Sequence, residues 1–196
     1  MPAAAVLFDL GGVLLPFDRE RRVRAMVERL GVTPEAARAL MAGELPLRID
    51  LGEADEFDLA HAFSNLCGRP VDVAEACELS LSVFEGPNLE AWAMAQALGE
   101  RVIVGGFSDN PGWVRRAIPH GARLDPLFLS CEIKAIKPSP AAFAAVEAAL
   151  PLAPGAILFI DDTAANVVAA RGRGWDAIVF SDNTALRRDL CERGLL

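Results

Sequence analysis

Lysine is almost absent from this chain. Of its 19 basic residues only Lys134 and Lys137 are lysine, and the other 17 are arginine. Both lysines fall in one stretch, "EIKAIKPSP", from Glu132 to Pro140. A protein that writes its positive charge as arginine has kept the ammonium for one place, which marks that place for attention. Positive charge is scarce altogether, since 27 acidic residues leave a formal net charge of -8. Bulk repulsion argues against nucleic acid and anionic membrane as partners, although a few converging cations can still hold a small anion. No apolar run is long enough to span a bilayer. The N-terminal "MPAAAVLFDLGGVLLP" has no basic lead and is cut by Asp9 and two glycines, so it is not expected to be a signal peptide. Cys67, Cys77, Cys131 and Cys191 form no CxxC or other close metal spacing. Four buried thiols in a reducing cytoplasm are the expectation.

What the chain does have is a core. Its 196 residues, 53% of them hydrophobic, suffice for one full domain with a small inserted unit. Five apolar runs read as strands: "AAAVLFD" ending at Asp9, "RVIVGGFS" ending at Ser108, "PLFLSCE" around Ser130, "AILFIDD" ending at Asp162 and "DAIVFSD" ending at Asp182. They are continuous rather than alternating, as in strands covered on both faces of a parallel sheet. Helices fit between the later strands, one opened by Ser139-Pro140 and one from about Ala164 to Arg171 closed by Gly172 or Gly174. The class is therefore α/β with a doubly wound, mostly parallel sheet. The first two strands are too far apart for one crossover helix. Residues 17–86 read as four helices, the first from Asp18 to Gly31 and the second opened by Thr33-Pro34. The expected division is a core of residues 1–16 and 87–196 with a helical cap, 17–86.

Ligands of open α/β sheets bind beyond the carboxyl ends of the strands. Those ends carry Asp9, Ser108 and Asp161-Asp162, with Lys137 shortly after the third strand. Each residue alone fits a turn, a helix cap or a surface charge. Together they put three carboxylates at one edge, a repulsion of several kcal/mol per close pair, on the order expected at intermediate dielectric. A positive group must sit among them, and several carboxylate oxygens suit Mg²⁺.

"VLFDLGGVLL", "VIVGGFSDN", "IKPSPAAF" and "LFIDDTAANVVAA", in this order, resemble the four motifs of the haloacid dehalogenase (HAD) superfamily. The likeness covers roughly residues 4–16 and 101–181, and the helical insert matches the superfamily's cap in position only. Within the superfamily the resemblance is to α-glucose-1-phosphatase-like phosphatases and to the phosphatase domain of bifunctional epoxide hydrolases. It implies a Mg²⁺-dependent phosphatase of a small phosphorylated metabolite, such as a sugar phosphate. Asp9 would attack phosphorus and become an aspartyl phosphate. Asp9, the Gly11 carbonyl and Asp162 would hold the metal, with Asp161 in support. Ser108 would bind phosphoryl oxygens, and Lys137 would bridge nucleophile and phosphate as a compact point charge.

The chain departs from the resemblance twice. The phosphatases commonly carry a second Asp, the general acid, where this chain has Gly11. A good leaving group, or another proton source, would then be needed. Asp109 stands where Asn is frequent, beside the expected phosphate, and is either turned away, paired with Arg115 or Arg116, or a replacement proton donor. Phe17, Arg48, His61 and Trp113 are candidates to face the pocket, with His61 expected in the core or an interface. A metal-independent dehalogenase is the first rival, disfavoured by the paired Asp161-Asp162. A non-catalytic binding protein and a phosphomutase are the others.

Overall fold

The computed structural model describes residues 3–196. Five parallel strands form one sheet: β1 (Ala5–Phe8), β2 (Ile103–Ser108), β3 (Leu127–Leu129), β4 (Ile157–Asp161) and β5 (Asp176–Val179), in the order β3-β2-β1-β4-β5. The alternation of side chains explains why the apolar runs are unbroken. In β1, Val6 and Phe8 enter one apolar cluster while Leu7 enters another. In β4, Leu158 and Ile160 join the first cluster, and Ile157 and Phe159 the second. Helices α6 (Leu89–Leu98) and α10 (Asn183–Glu192) cover the first face, and α8 (Pro140–Ala149) and α9 (Ala164–Gly172) cover the second. Phe107, Phe143, Phe159 and Trp175 meet there edge to face or tilted, with centroids 5.3–6.4 Å apart. Burying such a side chain contributes roughly 1.5–3 kcal/mol.

Two strands are shorter than the apolar runs suggest. The third run breaks after Leu129, where Ser130–Ile133 forms the single-turn α7. In the fifth run, Asp182 instead caps α10, accepting from the Ala185 N–H at 2.8 Å. Gly106 serves the edge pairing, since a Cβ there would lie 2.5 Å from Leu127 Cδ1.

Between β1 and α6 the chain folds five helices where four were expected: α1 (Arg19–Leu30), α2 (Pro34–Met41), α3 (Glu44–Asp50), α4 (Glu56–Cys67) and α5 (Val73–Leu81). The extra one is α3. It starts at Gly43 without a side-chain cap and holds Pro46 in its first turn, so it shows neither usual start signal. The insert has its own apolar centre, including Met26, Phe63 and Leu79. The segments that lead into and out of it run side by side, with Phe17 bridged antiparallel to Phe84. Two polar contacts tie it to the sheet unit: Lys134 Nζ donates to the Gly52 carbonyl at 2.7 Å, and Trp113 Nε1 to Ser80 Oγ at 3.3 Å.

Of the four thiols only Cys77 is buried; Cys191 is exposed on the outer side of α10, whose inner side is Leu186 and Leu190. His61 is exposed too, because α4 turns Leu59, Ala60 and Phe63 inward instead. No helix among the described residues is long and apolar enough to cross a membrane.

Candidate active site

The strand order reverses beside β1, so the connections leaving β1 and β4 run to opposite sides and leave a crevice at the carboxyl edge between them. Asp9 directly follows β1. Its Oδ1 accepts from the Leu10 N–H at 2.7 Å and from the Ser108 hydroxyl at 2.5 Å. Asn110 Nδ2 in turn donates to Ser108 Oγ at 3.0 Å, which orients the hydroxyl.

Lys137 is 6% exposed. Its Nζ donates to Asp161 Oδ2 at 2.7 Å and to the Phe107 carbonyl at 3.0 Å, and lies 3.1 Å from Asp9 Oδ1. The rings of Phe107 and Phe159 stand with centroids 5.3 Å from it. An ammonium carries three N–H bonds as a compact tripod, and three oxygens receive them here; a planar guanidinium fork has the wrong shape for that cage. This is why lysine stands here in a chain that otherwise uses arginine. Lys134, three residues earlier, is spent on Gly52 and does not line the cavity.

Asp161 is fully buried and its oxygens are taken. Besides Lys137, it accepts from the Thr163 N–H at 2.7 Å and from Asn166 Nδ2 at 3.1 and 3.0 Å. Asp162 is different. It is exposed, it accepts from the Thr163 hydroxyl at 3.3 Å, and it leans over Gly12. A Cβ at residue 12, which has φ +76°, would lie 2.1 Å from Asp162 Oδ2, so the carboxylate occupies the space of an absent side chain. Carboxylate oxygens of Asp9, Asp161 and Asp162 lie within 4.8 Å of one another.

One ammonium does not balance three carboxylates. Burial pushes the Asp9 carboxyl up to about 7; Lys137 pulls against this and Asp161 adds to it. Burial and then Asp161 also raise Asp162. Burial works to lower Lys137, yet Asp9, Asp161 and Asp109 together hold it above its ordinary value. The residual negative charge, the under-bonded Asp162 and the glycine cradle beneath it fit a hard divalent cation.

Asp109 turns its carboxylate back onto the chain. Both its oxygens accept from the Lys137 backbone N–H, at 3.0 and 3.2 Å, and burial raises its pKa. Arg115 does not pair with it; that guanidinium meets Glu132 at 2.7 Å.

A cavity of about 570 Å³ opens over the crevice, between sheet and insert. Asp9, Gly11, Ser108, Asp109, Lys137 and Asp162 all reach its wall, while Asp161 lies behind them. From the insert come Arg22, Asp50, Phe63 and Phe84, with Phe17 at the junction. Arg48 and Trp113 do not line it. Arg22, Asp50, Asn110 and Asn166 are polar site residues absent from the sequence-based set. Asn166 was in principle readable, one helical turn beyond the acid pair, on a face that also carries Val167 and Ala170.

This chain is 23% identical over 199 residues to a D-ribitol-5-phosphate phosphatase of Bacteroides thetaiotaomicron, covering 94% of this chain and 95% of that protein. A HAD family enzyme of the same organism, solved with magnesium and inorganic phosphate, superposes with a TM-score of 0.80 at 23% identity, over 94% of this chain and 98% of that one. A HAD-like family hydrolase from Porphyromonas gingivalis gives a TM-score of 0.82 at 24% identity, over 97% and 98%. The sequence model of haloacid dehalogenase-like hydrolases matches residues 3–174, which takes in β1 through α9 and every site residue described above. The chain belongs to that hydrolase family.

Proposed function

We propose that the protein is a Mg²⁺-dependent phosphatase of a small phosphomonoester, a sugar or polyol phosphate, and that it works through an aspartyl phosphate on Asp9. The observation that carries this reading is the gathering of Asp9, Asp161 and Asp162 within 4.8 Å around a single buried lysine, at the floor of the cavity. The similarity to a D-ribitol-5-phosphate phosphatase, and to an enzyme solved with magnesium and phosphate, supports the same chemistry.

Asp9, the Gly11 carbonyl and Asp162 would hold the metal. Asp161, with its oxygens already engaged, supports from behind by fixing Lys137. When bound, Mg²⁺ offsets charge so that a phosphate dianion can approach an acidic rim. Ser108 and Lys137 line the cavity beside Asp9, and the Ser108 O–H and the Lys137 N–H now directed at Asp9 Oδ1 would turn to the phosphoryl oxygens. An oxygen of Asp9 bonds to phosphorus and the ester P–O bond breaks. The departing oxygen takes a proton from water, since Gly11 supplies no acid. A Cβ at residue 11 would meet the Phe17 ring at 3.7 Å, an ordinary van der Waals contact, and no polar group is among its near neighbours. The hydroxide left by that proton transfer then adds to phosphorus, the bond between Asp9 oxygen and phosphorus breaks, hydrogen phosphate leaves and the Asp9 carboxylate returns. Residues 17–86 act as the cap, and 1–16 with 87–196 as the catalytic core.

Hydrolysis of p-nitrophenyl phosphate tests the reading. Activity should require Mg²⁺, vanish with EDTA and fall by at least about 10³-fold in Asp9→Asn, the scale on which loss of a nucleophile acts. Turnover that ignores EDTA, or survives that substitution, defeats the assignment; halide release from 2-chloropropionate without metal would replace it with a dehalogenase.

A further inference from the structure

Arg22 and Asp50 face the cavity from the insert, and among the described residues they do not pair with each other. Arg22 lies on α1 beside the buried Val23. Its Nη1 reaches Met41 Sδ at 3.4 Å. Its Nε is the one buried side-chain nitrogen or oxygen among the described residues with no hydrogen-bond partner. Asp50 is the last residue of α3 and is partly buried in the same wall. Burial, then the charge of Asp109, pushes its carboxyl up to about 7, with Arg22 acting the other way. The two charges therefore feel each other without closing into an ion pair. Two neighbouring insert arginines are paired instead: Arg38 is held by Glu20 at 2.7 and 3.2 Å, and Arg24 by Asp18 at 2.9 Å.

A donor-only guanidinium and a carboxyl that do not satisfy each other leave room for a group that is donor and acceptor at once. A hydroxyl is such a group. A second anion is a poor match at Asp50 itself, because Asp109 adds to its negative charge, while Arg38 in the same wall is already neutralised by Glu20 and Arg19 stands on the opposite side of the balance. An aryl ring would return no hydrogen bond to either the guanidinium or the carboxyl.

We propose that Arg22 and Asp50 read hydroxyl groups on a neutral, polyhydroxylated leaving group, so that the insert selects polyol and sugar phosphates over aryl and acidic ones. The inference rests on the phosphatase reading of the site below and assigns the residues that would recognise the hydroxylated part of its substrate. One hydroxyl accepts from Arg22 and a neighbouring one donates to Asp50, while the phosphate lies on the floor with Asp9.

The test compares sorbitol 6-phosphate and glucose 6-phosphate with phenyl phosphate and 3-phosphoglycerate, in the wild type, Arg22→Met and Asp50→Asn. For the hydroxylated esters each substitution should lower kcat/KM roughly 10-fold or more, chiefly through KM, the scale of a lost hydrogen bond to a charged group. For phenyl phosphate it should stay within a few-fold. Equal losses on all esters would mean a structural role and overturn the inference. So would no loss on any ester, or a preference for 3-phosphoglycerate that depends on Arg22 alone. Thermal shift with sorbitol 6-phosphate and glucose 6-phosphate reads binding without turnover. A shift abolished in both variants supports the hydroxyl subsite even if no phosphate is released, in which case the phosphatase reading fails by itself. The absence of a wild-type shift with either ester, together with no preference in turnover, overturns the inference.

Discussion

The sheet rim and the helical insert meet at one cavity, and they treat their buried polar groups in opposite ways. At the rim, Lys137 gives its three N–H bonds to three oxygens, and Asp161 receives Lys137, Thr163 and Asn166. In the insert, Arg22 Nε has no partner among the described residues, and Arg22 and Asp50 do not close into an ion pair. The difference teaches where each half draws its order. The rim is organised before any ligand arrives, which is what electrostatic preorganisation requires. The insert leaves hydrogen-bonding capacity open, which is what a substrate-reading wall requires, and it bears the cost of desolvated charge meanwhile.

Removing the central cation of the rim should break this contrast most severely. Lys137→Met leaves Asp9 and Asp161 buried without a counter-charge. Stripping one partner from a buried ion pair costs about 3–5 kcal/mol, to be read by urea unfolding, and activity should be lost. Lys137→Arg should not restore it, because the cage accepts a tripod and not a fork. A variant that unfolds like the wild type would show that the rim is not held by this lysine.

A gentler cut is Gly12→Ala. The added methyl falls on Asp162 Oδ2 and sits on a backbone with φ +76°. Asp162 must swing away, so the Mg²⁺ concentration for half-maximal activity should rise roughly 10-fold or more. At saturating metal, kcat should recover to within a few-fold. Unchanged metal dependence would remove Asp162 from the proposed ligand set.

Asp109 lies on the boundary between the two halves. Asp109→Asn keeps one oxygen for the Lys137 N–H and should lose only a few-fold in turnover. Asp109→Ala keeps none and should lose about 10-fold or more. Activity retained in the Asn variant also excludes Asp109 as the missing proton donor.

The same contrast decides how much was legible in the sequence. Strands covered on both faces are unbroken apolar runs, so their polar last residues, Asp9, Ser108 and Asp161-Asp162, stand out against them. Lys137 stands out by scarcity. Nothing comparable marks the insert's site residues. Arg22 is one letter in "RERRVRAM", where Arg19, Arg21 and Arg24 are exposed; only the helical phase beside Val23 and Met26 separates it. Asp50 ends a helix that has no capping side chain and carries Pro46, so even its element was hidden. The partner of Asp109 is a backbone N–H 28 residues onward, which no local pattern encodes.

The smallest effect concerns Asp50 in the absence of ligand, and its sign follows from linkage. Its carboxyl is pushed from 3.8 up to about 7 by burial, then by Asp109, with Arg22 opposing. The folded protein thus holds a proton that the unfolded chain releases above about pH 4. Stability then falls as pH rises between these two values and stays reduced above the upper one. Asp50→Asn removes the titration while keeping the shape. The variant should match the wild type near pH 4 and gain on it toward pH 8. In a chain of this size each kcal/mol of relief appears as about 2–4 °C in Tm. A gain that is the same at both pH values would mean that Asp50 is solvated and ionised throughout. The insert would then be as settled as the rim, and the contrast between them would lose its electrostatic half.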